Sequence, residues 1–235
     1  MKRIIKGLAC LALLLPLVAC ATSPRAVVWR YGVGSNIDEV WVSQMQFSKA
    51  NRITFDARLG GGGLSSIKRI KQRDYYWAGG DGWPTTGVPV PDKATFEWVS
   101  TIDRKRYRIE VDLPADLEKQ MRQVYQLPDG RKDHRGRLYF GLAPGGYYEV
   151  LLTGSIGIAL KPHILLARGL AEEVTDDWYD QETPLSSQYQ NRWAAFDKTY
   201  GEALKQTPPP SGMAWAPIMD AYRAEQPRTD TTPVN

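Results

Sequence analysis

This chain of 235 residues has only two cysteines and two histidines, and no apolar run long enough to cross a bilayer. Cys10 and Cys20 both fall within the first twenty positions. The body of the chain therefore has no thiol for a disulfide, a nucleophile or a zinc site, and its fold has to rest on packing alone. His134 and His163 lack the paired His, Cys or carboxylate spacing of a metal centre, so no metal is expected. The apolar run of residues 7–18 is twelve residues long, against roughly 20 for a spanning helix. An excess of one charge is missing too. Of 30 Lys+Arg, three (Lys2, Arg3 and Lys6) lie at the extreme N-terminus, leaving 27 against 26 Asp+Glu. A body so nearly neutral has no basic footprint for nucleic acid, and no nucleic-acid partner is expected.

The N-terminus is where the chain is most specific. Lys2, Arg3 and Lys6 precede the apolar run, which ends in Leu17-Val18-Ala19-Cys20. A basic start, a short apolar core and small residues before a cleavage point mark a secretory signal. Those last four residues resemble a bacterial lipobox, in which the cysteine is acylated and becomes the first residue of the mature protein. The resemblance implies removal of residues 1–19, palmitate-type acylation of Cys20 and no cofactor beyond that covalent lipid. Each acyl chain contributes ~0.8 kcal/mol per buried CH₂, and two such chains anchor stably. Ala21 stands where lipoproteins kept at the inner membrane usually carry Asp, which implies the periplasmic face of the outer membrane. Residues 20–25 are then a short linker, and a domain near the lipid is expected.

The 216 residues from Cys20 onward suffice for one domain with a sizeable core, expected over residues 26–207. All eight Trp and twelve Tyr lie in this part. Tyr107, Ile109 and Val111 alternate with charges, the pattern of a half-buried strand. Residues 94–102 alternate similarly, and Asp103-Arg104-Lys105 joins the two as a hairpin. Residues 27–33, 40–47, 52–57, 138–142 and 147–152 read as further strands, and 156–174 as interrupted ones. Leu113-Pro114 opens a helix carrying Leu117, Met121 and Val124. Tyr189, Trp193, Phe196, Tyr200 and Leu204 line one face of a helix over 187–205, and 214–224 reads as a shorter one. Residues 208–235 read as a Pro-rich extension with a loose polar tail. The expected class is mainly β (α+β): an antiparallel β-sandwich-like domain with two or three packed helices.

Residues 60–91 interleave glycines with aromatics, an insert too long for an ordinary connection. Two readings are open. Tyr75, Tyr76, Trp77 and Trp83 are either exposed anchors of a recognition loop or rings folded back to cap a sheet. Asp176, Asp177 and Trp178 form an acidic, aromatic run that suits a cation or a basic partner surface, though a solvated loop leading to the last helix is the plainer reading. Catalytic motifs fail on composition. Gly60 to Gly63 followed by Lys68 lacks the Gly-Lys-Ser/Thr of a phosphate loop, and Gly32-Val33-Gly34 lacks the third glycine of a dinucleotide fingerprint. Thr153-Gly154-Ser155-Ile156-Gly157 has Thr where a serine-hydrolase elbow needs Gly, and a turn between strands is expected there. A hydrolase would require Ser155 to meet His134 or His163 in space.

Trp98-Val99-Ser100, Val111-Asp112-Leu113-Pro114 and Tyr139-Phe140-Gly141-Leu142-Ala143-Pro144-Gly145-Gly146 resemble the core of a family of proteobacterial lipoproteins of unknown function. The resemblance covers residues 27–174. It implies a β-rich envelope domain with no catalytic residues to carry over, and no enzyme is expected. Some members resemble immunity proteins paired with phospholipase effectors of type VI secretion. The expected role is therefore a membrane-tethered inhibitor of such a toxin, with a structural or accessory envelope lipoprotein as the alternative.

Overall fold

The computed structural model describes residues 26–57, 60–62, 66–78, 80, 87–155, 160–175 and 183–234. The first half of the chain contains β1 (Arg30–Ser35), β2 (Val40–Lys49), β3 (Arg52–Ala57), β4 (Gly60–Gly62), α1 (Ile67–Gln72), β5 (Lys93–Ser100) and β6 (Lys105–Asp112). Next are α2 (Leu117–Arg122), β7 (Val124–Gln126), β8 (Lys132–His134), β9 (Arg137–Ala143) and β10 (Tyr147–Thr153). The chain continues through β11 (Ile164–Leu170), β12 (Glu172–Val174), α3 (Leu185–Gln206), α4 (Trp215–Ala224) and β13 (Pro233–Val234).

The strands form two principal sheets, in the orders β1-β9-β10-β11 and β12-β6-β5-β2-β3, with β4 also on β2. A small third sheet has the order β13-β7-β8. Apolar residues alternating along β1, β2, β5, β6, β9 and β10 put one face of both large sheets into a common core. Phe47, Phe96 and Phe140 meet at its centre, the last two stacked at 4.0 Å between ring centroids. The chain is thus mainly β and sandwich-like, as expected. Four α-helices are seen among the described residues rather than two or three, because α1 lies inside the insert.

The first sheet is covered on both faces. Leu138, Phe140 and Leu142 of β9 enter the sandwich core, while Tyr139 and Ala143 enter a second cluster with Tyr75, Trp77, Trp215 and Met219. Strands buried on both sides tolerate parallel pairing, and β1 runs parallel to β9. On the outer face of the other sheet lies α3. Arg192 sits 4.4 Å over the Trp41 ring, and Gln188 accepts a hydrogen bond from Arg106.

The C-terminal segment corrects the expected boundary at residue 207. Trp215 and Met219 of α4 are fully buried, and Asp230 pairs with the buried Arg135 at 3.0 Å. Beyond Asp230, β13 adds to β7. These residues belong to the domain because they close the second core and the third sheet.

Candidate functional site

The expected aromatic anchors separate into different environments. Tyr75 and Trp77 are core residues, 8% and 7% exposed. The Tyr75 ring meets Trp215 edge-on at 4.8 Å. The segment after α1 lies against β1: the Ala78 N–H donates to the Ser35 carbonyl, and the Tyr139 hydroxyl donates to the Ala78 carbonyl. Arg137 donates to the Gly80 carbonyl at 2.6 Å. The approach is so close that side chains are excluded beneath it. A Cβ on Gly34 would sit inside contact with the Ala78 carbonyl and the Tyr139 hydroxyl, and one on Gly141 would stand 2.5 Å from the Trp77 ring. Gly32-Val33-Gly34 and Gly141 are therefore the floor of a trough for this segment. The second of the two readings of the insert holds for Tyr75 and Trp77, which are not free to act as partner anchors.

Tyr76 points the other way, with Arg69 3.9 Å above its ring. Arg69 is itself held by the carbonyls of Asp74 and Tyr76. The far flank of the insert is fixed too, since the Val88 carbonyl accepts the Trp29 indole N–H at 2.9 Å and Val90 is buried. Trp83, Asp176, Asp177, Trp178 and Cys20 lie outside the described residues.

Three of the buried carboxylates join separate elements of the fold. Glu149, fully buried on β10, accepts hydrogen bonds from the Trp77 indole N–H (2.9 Å), the Tyr147 hydroxyl (2.7 Å) and Arg223 of α4. One carboxylate thus ties the aromatic segment, the sheet and α4 together. Glu97 of β5 pairs with Arg108 at 2.5 Å and accepts the Ser43 hydroxyl at 2.9 Å, where Ser43 is the extra residue of a bulge in β2. Asp38 accepts the Ser100 hydroxyl (2.5 Å) and the N–H groups of Thr101 and Ile102. Burial outweighs those donors and pushes the Asp38 carboxyl up to about 7. The sequence signal for Glu149 was its phase: it falls in step with Tyr147 and Leu151, on a face that turns out to be covered.

The two histidines end in different settings. His163 is buried, with Nδ1 facing Gln226 at 3.3 Å. Burial, followed by the cationic Lys161 and Arg135, holds it down at about 4. His134 is half-buried at the end of β8, and its Nε2 lies 3.1 Å from the Ser155 hydroxyl. Ser155 and His134 thus meet, which a reading of either as a plain loop residue misses. Among the described residues, no group of three or more His, Cys, Asp or Glu is placed to hold a metal. No described helix is long and apolar enough to cross a membrane. Open grooves run beside α3, one of about 530 Å³ lined in part by Ile102, Arg104, Phe196 and Asp197.

A family model described as a protein of unknown function (DUF2931) matches residues 19–212. No curated protein and no solved structure matches the chain. With most of its length inside that match, the chain belongs to the DUF2931 family.

Proposed function

We propose that this member of the family is a lipid-anchored protein of the periplasmic face of the outer membrane, and that it works by binding and inhibiting a phospholipase toxin. The anchor is the acylated Cys20. What supports a binding role is the fixing of both flanks of residues 81–86: the Tyr75–Gly80 side lies in a glycine-floored trough, and Val88 and Val90 are held to the core. Flanking residues already held by the frame give up less conformational entropy on binding. Trp83 lies in sequence between those flanks, and the exposed Tyr76 borders one of them. These two rings, rather than Tyr75 and Trp77, are the anchors of this reading.

A tethered inhibitor meets a membrane-attacking enzyme at high effective concentration and needs no active site of its own. A standard interface buries about 1,600 Å² in total, with a few aromatic residues carrying most of the energy. The test is a crosslinked capture of the lipidated protein from its own host during active type VI secretion, read by mass spectrometry. The expected result is a stoichiometric lipase that the detergent-solubilised lipoprotein inhibits. Trp83→Ala and Tyr76→Ala should each weaken that complex by at least about 10-fold, with the thermal midpoint unchanged. Recovery of outer-membrane assembly proteins without a lipase would replace the toxin reading by an accessory envelope role.

A further inference from the structure

We propose that Ser155 and His134 form a nucleophile–base pair that accepts the acyl group of a small carboxylic ester, an activity separate from partner binding. The pair is placed by the register of the first sheet. Thr153 ends β10 opposite Arg137 at the start of β9, so Ser155 emerges beside the residues that precede β9. The Ser155 N–H donates to the His134 carbonyl at 2.9 Å, and the Gly136 N–H donates to the same oxygen at 3.0 Å. These bonds fix both backbones while the side chains meet at 3.1 Å, the spacing a hydroxyl needs to pass its proton to an imidazole. Gly136 is part of the arrangement. A Cβ there would stand 2.7 Å from His134 Nε2 and would press into the Ser155 hydroxyl, so any larger residue breaks the contact.

Asp133, next in sequence, is buried and accepts the backbone N–H of His134 at 2.8 Å. It therefore positions the loop, and the pair is a dyad rather than a triad. A Cβ on Gly154 would stand 2.6 Å from Asp133 Oδ2, so the turn bearing the serine packs directly on that carboxylate. The elbow glycine missing at Thr153 is not needed, because Thr153 lies within a paired strand. Ser155 is 9% exposed, which suits a short acyl group. Among the described residues no carboxylate pairs with the His134 ring, and such a base suits an ester, whose alkoxide leaves more readily than an amine.

In the forward step His134 Nε2 takes the Ser155 proton as Oγ bonds to the ester carbonyl carbon. The carbon–alkoxide bond then breaks, and the imidazolium protonates the leaving alcohol. Water, deprotonated by His134, attacks the acyl-serine, releasing the acid and returning the proton to Ser155. Ester and water become acid and alcohol, with no other reactant.

The test treats the full-length lipoprotein in detergent with p-nitrophenyl acetate and maps the adduct by peptide mass spectrometry. Quenched in acid before water hydrolyses the acyl-serine, wild type should carry one acetyl group on Ser155, formed at least about 100-fold faster than any adduct of Ser155→Ala. His134→Gln should lose the reaction and His163→Gln should keep it, with circular dichroism reporting the fold of each. Acetylation confined to other side chains, or a wild-type rate equal to that of Ser155→Ala, overturns the proposal. Because the adduct is mapped on the unmodified chain, a variant that fails to fold does not blunt the result. No toxin partner enters this measurement, so its failure leaves the binding reading standing.

Discussion

At the scale of single residues, two buried groups hold opposite proton preferences over the same pH range. Asp38 titrates at about 7 in the folded chain, because burial disfavours its charge, against 3.8 when free. The folded state therefore binds the extra proton, and Asp38's contribution to stability is lost as pH rises from about 4 to about 7. His163 is shifted downward, from 6.5 to about 4, again by burial. Its contribution is present above 6.5 and lost as pH falls toward 4. The two slopes oppose each other, and each approaches ~1.4 kcal/mol per pH unit where one proton is exchanged. Asp38→Asn keeps a neutral side chain of the same shape at the Ser100 turn and removes one slope. Urea unfolding between pH 4 and 7 should show Asp38→Asn gaining on wild type as pH rises. His163→Gln should gain on wild type as pH falls. Parallel curves for all three proteins would mean that neither group is shifted as its burial dictates.

At the scale of elements, Glu149 sets how the outer layer is held. The aromatic segment and α4 reach the first sheet by independent chain routes, and both end on this one carboxylate through Trp77 and Arg223. Removing its charge leaves Arg223 with Asp220 as its remaining carboxylate partner. Breaking one side of a buried pair costs about 3–5 kcal/mol, and the Asp220 contact puts Glu149→Gln toward the lower end. Chemical denaturation gives that loss directly. Quenching of tryptophan fluorescence should rise with it, because Trp77 and Trp215 share the loosened layer. The same layer shows where sequence reading stops. The hairpin of β5 and β6, the strands β9 and β10, and the helices α3 and α4 were legible, since alternation and 3.6-residue spacing are local properties. The parallel partnership of β1 with β9 was not, because no local pattern records a contact across a hundred residues. Nor was the role of Gly34 and Gly141, which is set by a segment that arrives from elsewhere in the chain. The C-terminal tail read as loose because its polar residues find partners, such as Arg135 for Asp230, only once the fold exists.

At the scale of the whole molecule, the proposed tether would add to the domain a fixed distance from the membrane. Six residues span at most about 20 Å when extended, so the proposed anchor at Cys20 would hold the folded body within one protein diameter of the lipid. Confinement of this kind raises the effective concentration of an inhibitor against an enzyme on the same surface, without any new contact. Cys20→Ser removes the atom proposed to carry the lipid and leaves the sequence of residues 26–234 unaltered. The variant should move from the membrane to the soluble periplasmic fraction and take up no labelled palmitate. In the toxin reading its affinity for a purified lipase should match that of wild type, while the protection it gives to cells falls sharply. Both halves of that outcome are needed. A variant that stays on the membrane excludes the lipid anchor, and one that leaves yet protects fully shows that binding alone suffices. Lost affinity would instead place the acylated end within the interface itself.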